Sequence, residues 1–169
     1  MAHPVNKTQL SSSVVLRDVV EADLPIFFAH QQDPAAVRMA AFTAKDPSDW
    51  EAFTAHWARI RADDTTDNRT ILFRGKVVGH VAKYETLGEP EVTYWIGREY
   101  WGRGVATQAL SQFLDGLKTR PIYARVVQDN VASRRVLEKC GFVVCGSDRG
   151  YANGRGEEVD ERLLRLDAG

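Results

Sequence analysis

Apolar residues in the first third of the chain recur at the spacing of amphipathic helices. One run follows Asp23, a residue able to cap a helix, a short run follows Pro34, and a third follows the helix-start sequence at 46–49. These patterns predict three helices, the last ending near residue 61. The spaced residues are Leu24, Phe27 and Phe28 in the first run and Trp50, Phe53, Trp57 and Ile60 in the third. Because aromatic rows of this kind are usually buried, we interpret the third as core and not as a cofactor site.

The pattern changes to that of β-strands beyond residue 69. Segments 70–73, 77–86 and 91–97 are separated by glycine-containing turns. These three segments predict an antiparallel meander, and a separate first strand is predicted at 14–17.

A helix, a strand and a second helix follow the meander. The apolar face of 105–117 predicts a helix, segment 121–127 a strand, and 130–139 a helix that stops at Gly141. Strand, helix and strand in this order form a parallel pair through a crossover. The remaining predicted elements are a strand at 142–145, a polar loop at 148–155 and a last strand at 159–166.

Length and composition indicate one domain. With 169 residues, 44% of them hydrophobic, the chain has room for one substantial core. We expect a flexible leader at 1–12 and a single domain at 13–169. The net charge of -1 provides no basic field for nucleic acid or an anionic membrane. The sequence has neither a long apolar run nor the apolar core of a secretory signal, so we expect a cytoplasmic protein.

Cysteine and histidine content gives no sign of a metal site. The chain has two cysteines and four histidines, and none has the spacing of metal ligands or of a disulfide framework. We therefore expect no metal and a packing role for the cysteines.

The most informative segment is a glycine-rich turn directly before the helix at 105–117. It consists of Trp101-Gly102-Arg103-Gly104-Val105-Ala106-Thr107. Glycines before a helix leave backbone N–H groups free to bind an anion such as a phosphate. A mononucleotide loop would need a lysine that is missing here, and a dinucleotide fingerprint would need a third glycine in place of Thr107. Taken alone, the glycines could also form a simple tight turn.

Segments 94–107 and 130–142 together resemble the GNAT superfamily of acyl-CoA-dependent N-acyltransferases, most closely its ribosomal-protein N-terminal acetyltransferases. The family pattern Gln/Arg-x-x-Gly-x-Gly/Ala maps onto 101–106, with Trp101 replacing Gln or Arg. The resemblance implies a mixed α/β fold with a central, mostly antiparallel sheet that is splayed between strands 4 and 5 and has helices on both faces. It also implies acetyl-CoA as the acyl donor, with amides from about Gly102 to Thr107 on its pyrophosphate.

The implied reaction needs a neutral amine, a hydrogen-bond donor to the thioester oxygen and a donor to the departing thiolate. The resemblance places backbone near Trp95 and Ile96 at the thioester oxygen, Asn130 on the pantetheine arm and Ser133 at the CoA sulfur. Many members carry a tyrosine where this chain has Leu137, which cannot donate a proton. Without the resemblance, Asn130 would be a helix cap and Ser133 a bystander.

For several candidate site residues, the sequence allows two roles. The general base is either Glu91, at the start of the strand before the turn, or a water relay. Tyr84 and His80 share one strand face and either line the acceptor cleft or pack there. Arg103 and Arg135 either meet the phosphates of CoA or face solvent. The predicted catalytic residues are Ser133, Glu91 and Asn130, and the predicted cofactor-binding residues are Trp95, Ile96, Gly102, Arg103, Gly104, Val105, Ala106, Thr107, Asn130, Ser133 and Arg135.

We therefore expect an N-acetyltransferase that moves the acetyl group of acetyl-CoA directly to a primary amine, on a protein N-terminus or a small molecule, in a ternary complex. The alternative is a non-catalytic acyl-CoA-binding or regulatory module. The resemblance places 31–42 and 147–158 beside the acceptor cleft and is compatible with a homodimer. The acidic residues that hint at a cationic acceptor are Glu85, Glu89, Glu91, Glu157 and Glu158.

Overall fold

The computed structural model describes residues 13–168, and the predicted leader at 1–12 lies outside them. Seven strands form one sheet in the order β1-β2-β3-β4-β5-β7-β6. Neighbouring strands are antiparallel except β4 and β5, which are parallel. The strands are β1 (Val14–Asp18), β2 (Asp67–Phe73), β3 (Lys76–Thr86), β4 (Glu89–Ile96), β5 (Ile122–Val127), β6 (Val143–Ala152) and β7 (Glu157–Leu166).

Helices pack on both faces of the sheet, as predicted. His80 contacts an aromatic cluster on one face, whereas its neighbour Val81 belongs to the main core on the other. Phe53 and Trp57 are buried in the aromatic cluster, which confirms the core interpretation for them, while Trp50 is 43% exposed. No helix within residues 13–168 is long and apolar enough to cross a membrane. The α-helices are α1 (Leu24–His30), α2 (Pro34–Ala40), α3 (Trp50–Ala62), α4 (Val105–Asp115) and α5 (Val131–Lys139).

Side chains at the N-cap positions cap α2, α3 and α5, whereas Asp23 does not cap α1. The Asp49 side chain accepts a hydrogen bond from Ala52 N at 3.0 Å and caps α3. The prediction that Asp23 caps α1 is wrong, because its side chain makes no cap hydrogen bond to that helix. The carboxylate is buried and instead accepts hydrogen bonds from Arg17 and Thr70. Asp23 therefore ties β1 to β2.

The splay between β4 and β5 is confirmed. Among the described residues, Glu91 and Tyr123 are the one registered pair that joins these two strands. Past that pair the strands are unpaired with each other, and α4 and α5 begin near the gap between them. The sheet is thus open at its centre on the side where the glycine turn lies.

The predicted polar loop at 148–155 is wrong, since these residues belong largely to a β-hairpin. β6 extends to Ala152 and pairs with β7 as far as Glu157. The strand forms through this cross-strand pairing even though most of its side chains are exposed.

The tip of this hairpin is fixed against α2. Gly154 N donates to Ala41 O at 2.8 Å. A Cβ atom added at Gly154 would lie 2.4 Å from Val37 O, so only glycine permits this approach. Arg155 makes two 2.8 Å hydrogen bonds to Asp129, which precedes α5. The hairpin therefore holds the end of α2 beside the start of α5.

Candidate active site

A cavity of about 890 Å³ occupies the gap between β4 and β5. It lies between the glycine turn, the start of α5 and α2 with the residues just after it. Its volume is ordinary for a small-molecule site. Arg103 is exposed and is not part of its wall, and Glu91 lies behind the wall. The other predicted site residues all line it: Trp95, Ile96, Gly102, Gly104, Val105, Ala106, Thr107, Asn130, Ser133 and Arg135.

The glycine turn presents the N-terminus of α4 to this cavity. Gly102 and Gly104 have φ values of 75° and 76°, a conformation that glycine adopts without strain. The first backbone bond of α4 runs from Gln108 N to Gly104 O at 3.1 Å, so the amides of 105–107 precede it. Among residues 13–168, no side chain caps this helix. Its first amides are thus available to an anion, and the geometry fits a pyrophosphate.

Trp101 explains how the turn works without the Gln or Arg of the family pattern. Its indole Nε1 donates to Ile96 O at 2.9 Å and joins the turn to the end of β4. Trp101 therefore stabilises the turn through a hydrogen bond within the protein. The Gln or Arg of the family pattern would instead offer a polar side chain to the ligand.

The direction of the β4 backbone determines which groups face the gap. Gly97 N donates to Val78 O of β3 at 2.8 Å. Because backbone groups alternate along a strand, those of Trp95 also point to β3, and those of Tyr94 and Ile96 point to the gap. The Trp95 backbone is thus turned away from the position predicted for it, and its side chain lines the cavity instead. Its Nε1 is buried without a partner among the described residues.

Asn130 is already engaged with protein at both ends of its amide. Its Oδ1 accepts from Ser133 N at 3.2 Å and caps α5, and its Nδ2 donates to Met39 O at 3.3 Å. The capping interpretation of Asn130 is confirmed. The side chain still lines the cavity, and its amide group also holds α2 against α5.

Ser133 is paired with a tyrosine from the facing strand. Tyr94 Oη and Ser133 Oγ are 2.6 Å apart. Burial raises the pKa of Tyr94 to about 12. Leu137, at the position of the usual family tyrosine, is fully buried in the core. The phenol nearest to the predicted donor therefore comes from β4 and not from α5.

Glu91 is held in an ion pair and does not lie at the cavity wall. Its carboxylate, 3% exposed, accepts hydrogen bonds from Tyr84 Oη at 2.8 Å and from Arg125 Nε at 3.0 Å. The pKa of Tyr84 is raised by burial and then by the Glu91 charge, so the phenol stays protonated. The assignment of Glu91 as the direct base does not fit this placement, because protonating it would break the Arg125 ion pair.

Two cations line the cavity on one face of α5. Arg135 and Lys139 are four residues apart, so their side chains lie one turn from each other. Within residues 13–168 neither forms an ion pair, which leaves both charges available to a phosphate. Lys139 was missed in the sequence, although the same helical spacing would have found it.

The remaining candidates divide between cavity and core. Tyr84 lines the cavity, whereas His80 packs between Phe27 and Trp57. Burial, followed by the charges of His30 and His56, lowers the pKa of His80 to about 3, so its imidazole is neutral at ordinary pH.

Three of the five acidic residues that suggested a cationic acceptor are paired with basic side chains of the protein. Glu85 is paired with Lys83, Glu158 with Arg149 and Glu91 with Arg125. Their charges are largely compensated within the protein.

A family model described as an acetyltransferase (GNAT) domain matches residues 13–143. The chain belongs to the GNAT family. Solved GNAT-like structures share its fold. The spermidine N-acetyltransferase of Vibrio cholerae in complex with CoA and spermine has a TM-score of 0.80 at 19% identity, covering 93% of this chain and 96% of that one. The RimJ of Mycobacterium smegmatis in complex with CoA-disulfide has a TM-score of 0.77 at 24% identity, covering 92% of this chain and 82% of that one.

A curated relative is much longer than this GNAT chain. The uncharacterized protein MJ1062 of Methanocaldococcus jannaschii is 26% identical over 140 residues, which are 78% of this chain and 28% of that protein. The chain therefore spans less than a third of that relative.

Of the two segments that the GNAT resemblance places beside the acceptor cleft, only 31–42 contributes to the cavity wall within residues 13–168. Ala36, Met39, Ala40 and Phe42 line the cavity, and all four lie within the predicted 31–42 segment. No residue of 147–158 belongs to the cavity wall in the described part of the chain, and the wall on that side includes Arg125 and Glu161. Arg125 is bonded to Glu161 at 2.8 Å as well as to Glu91. In the same range, 13–168, no three His, Cys, Asp or Glu side chains are grouped to hold a metal ion.

Proposed function

We propose that this GNAT protein transfers the acetyl group of acetyl-CoA to a primary amine by direct attack in a ternary complex. The observation that carries the proposal is one cavity that joins an uncapped helix N-terminus, the open edge of β4 and the Ser133 hydroxyl. These features supply an anion site, backbone donors for an amide-rich arm and a hydroxyl donor, which are the groups that a CoA thioester requires.

Each part of the cavity has a role in this proposal. The amides of 104–107 hold the pyrophosphate, while Arg135 and Lys139 compensate phosphate charge. The Ile96 N–H, which faces the gap, donates to the thioester oxygen as that oxygen gains charge. Ser133 Oγ donates to the sulfur as the carbon–sulfur bond breaks. Asn130 keeps α5 in place for these contacts.

We assign deprotonation of the amine to a water relay and not to Glu91. Water can enter the open cavity and carry a proton to solvent, whereas the Glu91 carboxylate lies behind Tyr84 and Arg125. The Tyr84 phenol and the Arg125 guanidinium both donate hydrogen bonds to that carboxylate and hold it as an acceptor. Its role in the proposal is to hold Tyr84 and Arg125 in the acceptor wall.

The acceptor is an amine on a protein N-terminus or a small molecule. The cavity wall beside α2 combines apolar residues with Tyr84, Thr93 and Arg125 and is open to solvent, so it accommodates either class. That the Vibrio cholerae neighbour was solved with spermine is in keeping with an amine at this wall.

The test is acetyl-CoA-dependent release of free thiol, measured against N-terminal peptides, polyamines, aminoglycosides and amino acids. We expect release that depends on at least one amine and an acetylated product in equal amount. A peptide-dependent signal would assign the protein to N-terminal acetylation, and a signal with small amines alone would assign it to metabolite modification. Tight acetyl-CoA binding without turnover on any amine would favour the alternative, a non-catalytic acyl-CoA-binding module.

Ser133→Ala is expected to lower kcat about tenfold while the affinity for acetyl-CoA changes less than about twofold, since the lost donor acts mainly on the departing sulfur. The helix cap is kept because it uses the Ser133 backbone N–H. The measurement is steady-state kinetics with the best amine of the panel. Ser147→Ala, at an exposed position outside the cavity wall, is the matched control and should leave kcat unchanged. A kcat for Ser133→Ala within about twofold of wild type would remove this hydroxyl from the mechanism.

A further inference from the structure

Ser133 can help the departing thiolate only if its proton points at the sulfur. A serine hydroxyl inside a helix commonly donates to a backbone carbonyl of the preceding turn, which would turn its proton away from the cavity. Something must therefore hold the Ser133 hydroxyl in the productive direction. Among the hydrogen bonds of the Ser133 hydroxyl in residues 13–168, the contact to Tyr94 Oη at 2.6 Å is the one that can do so.

The direction of this hydrogen bond follows from acidity. A phenol is a far stronger acid than an alkyl hydroxyl, so Tyr94 is the better donor and Ser133 Oγ the acceptor. Tyr94 also keeps its proton, because burial raises its pKa to about 12. The alternative acceptor, Ser133 O, lies at 3.4 Å and is less favourable. With its oxygen accepting from Tyr94, Ser133 has its own proton free for the cavity.

The fold holds Tyr94 in this position. Tyr94 lies on the same face of β4 as the buried residues Val92 and Ile96, and it packs against the core that contains α4 and α5. The Asn130 cap fixes the start of α5, where Ser133 is located. The strand and the helix therefore present the two hydroxyls to each other across the cavity wall.

We propose that Tyr94 is a positioning residue that orients the Ser133 hydroxyl toward the sulfur of the acyl donor. This inference rests on the proposed function. The amine nitrogen forms the new carbon–nitrogen bond, the carbon–sulfur bond breaks with its electron pair on sulfur, and Ser133 O–H donates a hydrogen bond to that thiolate. The proton lost by the nitrogen leaves through water and balances the thiol that CoA finally carries. Tyr94 and Ser133 both keep their protons, so the pair needs no reprotonation step.

The proposal predicts that Tyr94→Phe lowers kcat about five- to tenfold and changes the KM for acetyl-CoA less than about twofold, because only thiolate stabilisation is lost. In the Ser133→Ala background the same change should lower kcat less than about twofold, since the residue acts through Ser133. Tyr123→Phe is the matched control, as this tyrosine of β5 lies outside the cavity wall. Equal and independent losses in both backgrounds would overturn the proposal.

A second readout does not require an acceptor amine. Protein in excess is mixed with CoA, and alkylation of the bound CoA thiol by iodoacetamide is followed against pH by mass spectrometry of CoA, which ignores the protein cysteines. An oriented donor favours the thiolate, so we expect the alkylation midpoint about one pH unit lower for wild type than for Tyr94→Phe or Ser133→Ala. Identical profiles for wild type and Tyr94→Phe would refute the role of Tyr94. If CoA did not bind to wild type at all, the proposed function itself would fail, and with it this inference.

Discussion

Gly104→Val is expected to weaken acetyl-CoA binding by roughly 100-fold or more. Gly104 has a φ of 76° at the start of α4, where a β-branched side chain is strongly disfavoured. A Cβ there would meet only Gln108 Nε2 at 3.9 Å, so the effect comes from the backbone and not from a clash. Relaxing the turn would misdirect the amides of 104–107, and several charge-assisted hydrogen bonds to the pyrophosphate would be lost together. Calorimetric titration with acetyl-CoA measures the change.

Gly75→Val is the matched control for this prediction. Gly75 lies in the turn between β2 and β3 with a φ of 79°, and an added Cβ would meet no atom within 4 Å. Valine at either position costs about 1–2 kcal/mol of backbone strain. We therefore expect similar losses of stability in the two variants and a loss of affinity in Gly104→Val alone. Normal acetyl-CoA binding by Gly104→Val would show that the pyrophosphate lies elsewhere.

Asp23→Asn is expected to lower the free energy of unfolding by about 3 kcal/mol, which corresponds to roughly 6–12 °C in Tm for a chain of this size. Asp23 is 2% exposed and receives two hydrogen bonds from Arg17, at 2.7 and 2.8 Å, and one from Thr70 at 2.7 Å. An amide in its place cannot accept all of them and would leave Arg17 unpaired. Urea denaturation of both proteins at pH 7 measures the difference. Asp18→Asn, which removes an exposed ion pair with Arg69, should cost less than about 1 kcal/mol.

The effect of Asp23→Asn should also depend on pH. Burial acts to raise the pKa of Asp23, but the hydrogen bonds from Arg17, Val20 N and Thr70 outweigh it, so the folded-state pKa lies below the ordinary value. A lowered carboxyl pKa stabilises the fold above the unfolded pKa of about 3.9, and this contribution disappears as pH falls through the folded-state value. The stability difference between wild type and Asp23→Asn should therefore shrink between pH 5 and pH 2. A difference that stays constant over that range would contradict the assigned role of the carboxylate.

The sequence correctly predicted the features that depend on residues a few positions apart. It failed where a feature depends on residues that are distant in the sequence. The caps of α3 and α5, at Asp49 and Asn130, follow from sequence because their partners lie three residues away. Asp23 has the same local appearance, but the carboxylate is committed to Thr70, 47 residues further on. The hairpin at 143–166 was partly missed because β6 has exposed side chains on both faces and is held by pairing with β7, which leaves no apolar alternation to detect.

In the candidate active site, too, the features set by neighbouring residues were predicted and those set by distant residues were not. The turn at Gly102 and Gly104 and the start of α5 were located from their motifs, since backbone geometry there is set by glycine and by a cap. The partners of Ser133 and Glu91 were not, because Tyr94 and Arg125 come from other strands and meet these residues only after the sheet is assembled. Alternation along β4 places Tyr94 on the helix-facing side, but which helical residue it meets depends on how α5 packs.

The most direct test of the account is a crystal structure of the protein with acetyl-CoA. We predict that the pyrophosphate lies against the amides of 104–107, that the pantetheine runs along the open edge of β4, and that the sulfur lies within hydrogen-bonding distance of Ser133 Oγ, with Tyr94 Oη still bonded to that hydroxyl. A pyrophosphate bound away from the glycine turn, or a sulfur out of reach of Ser133, would contradict the central claim that this cavity is the acetyl-transfer site.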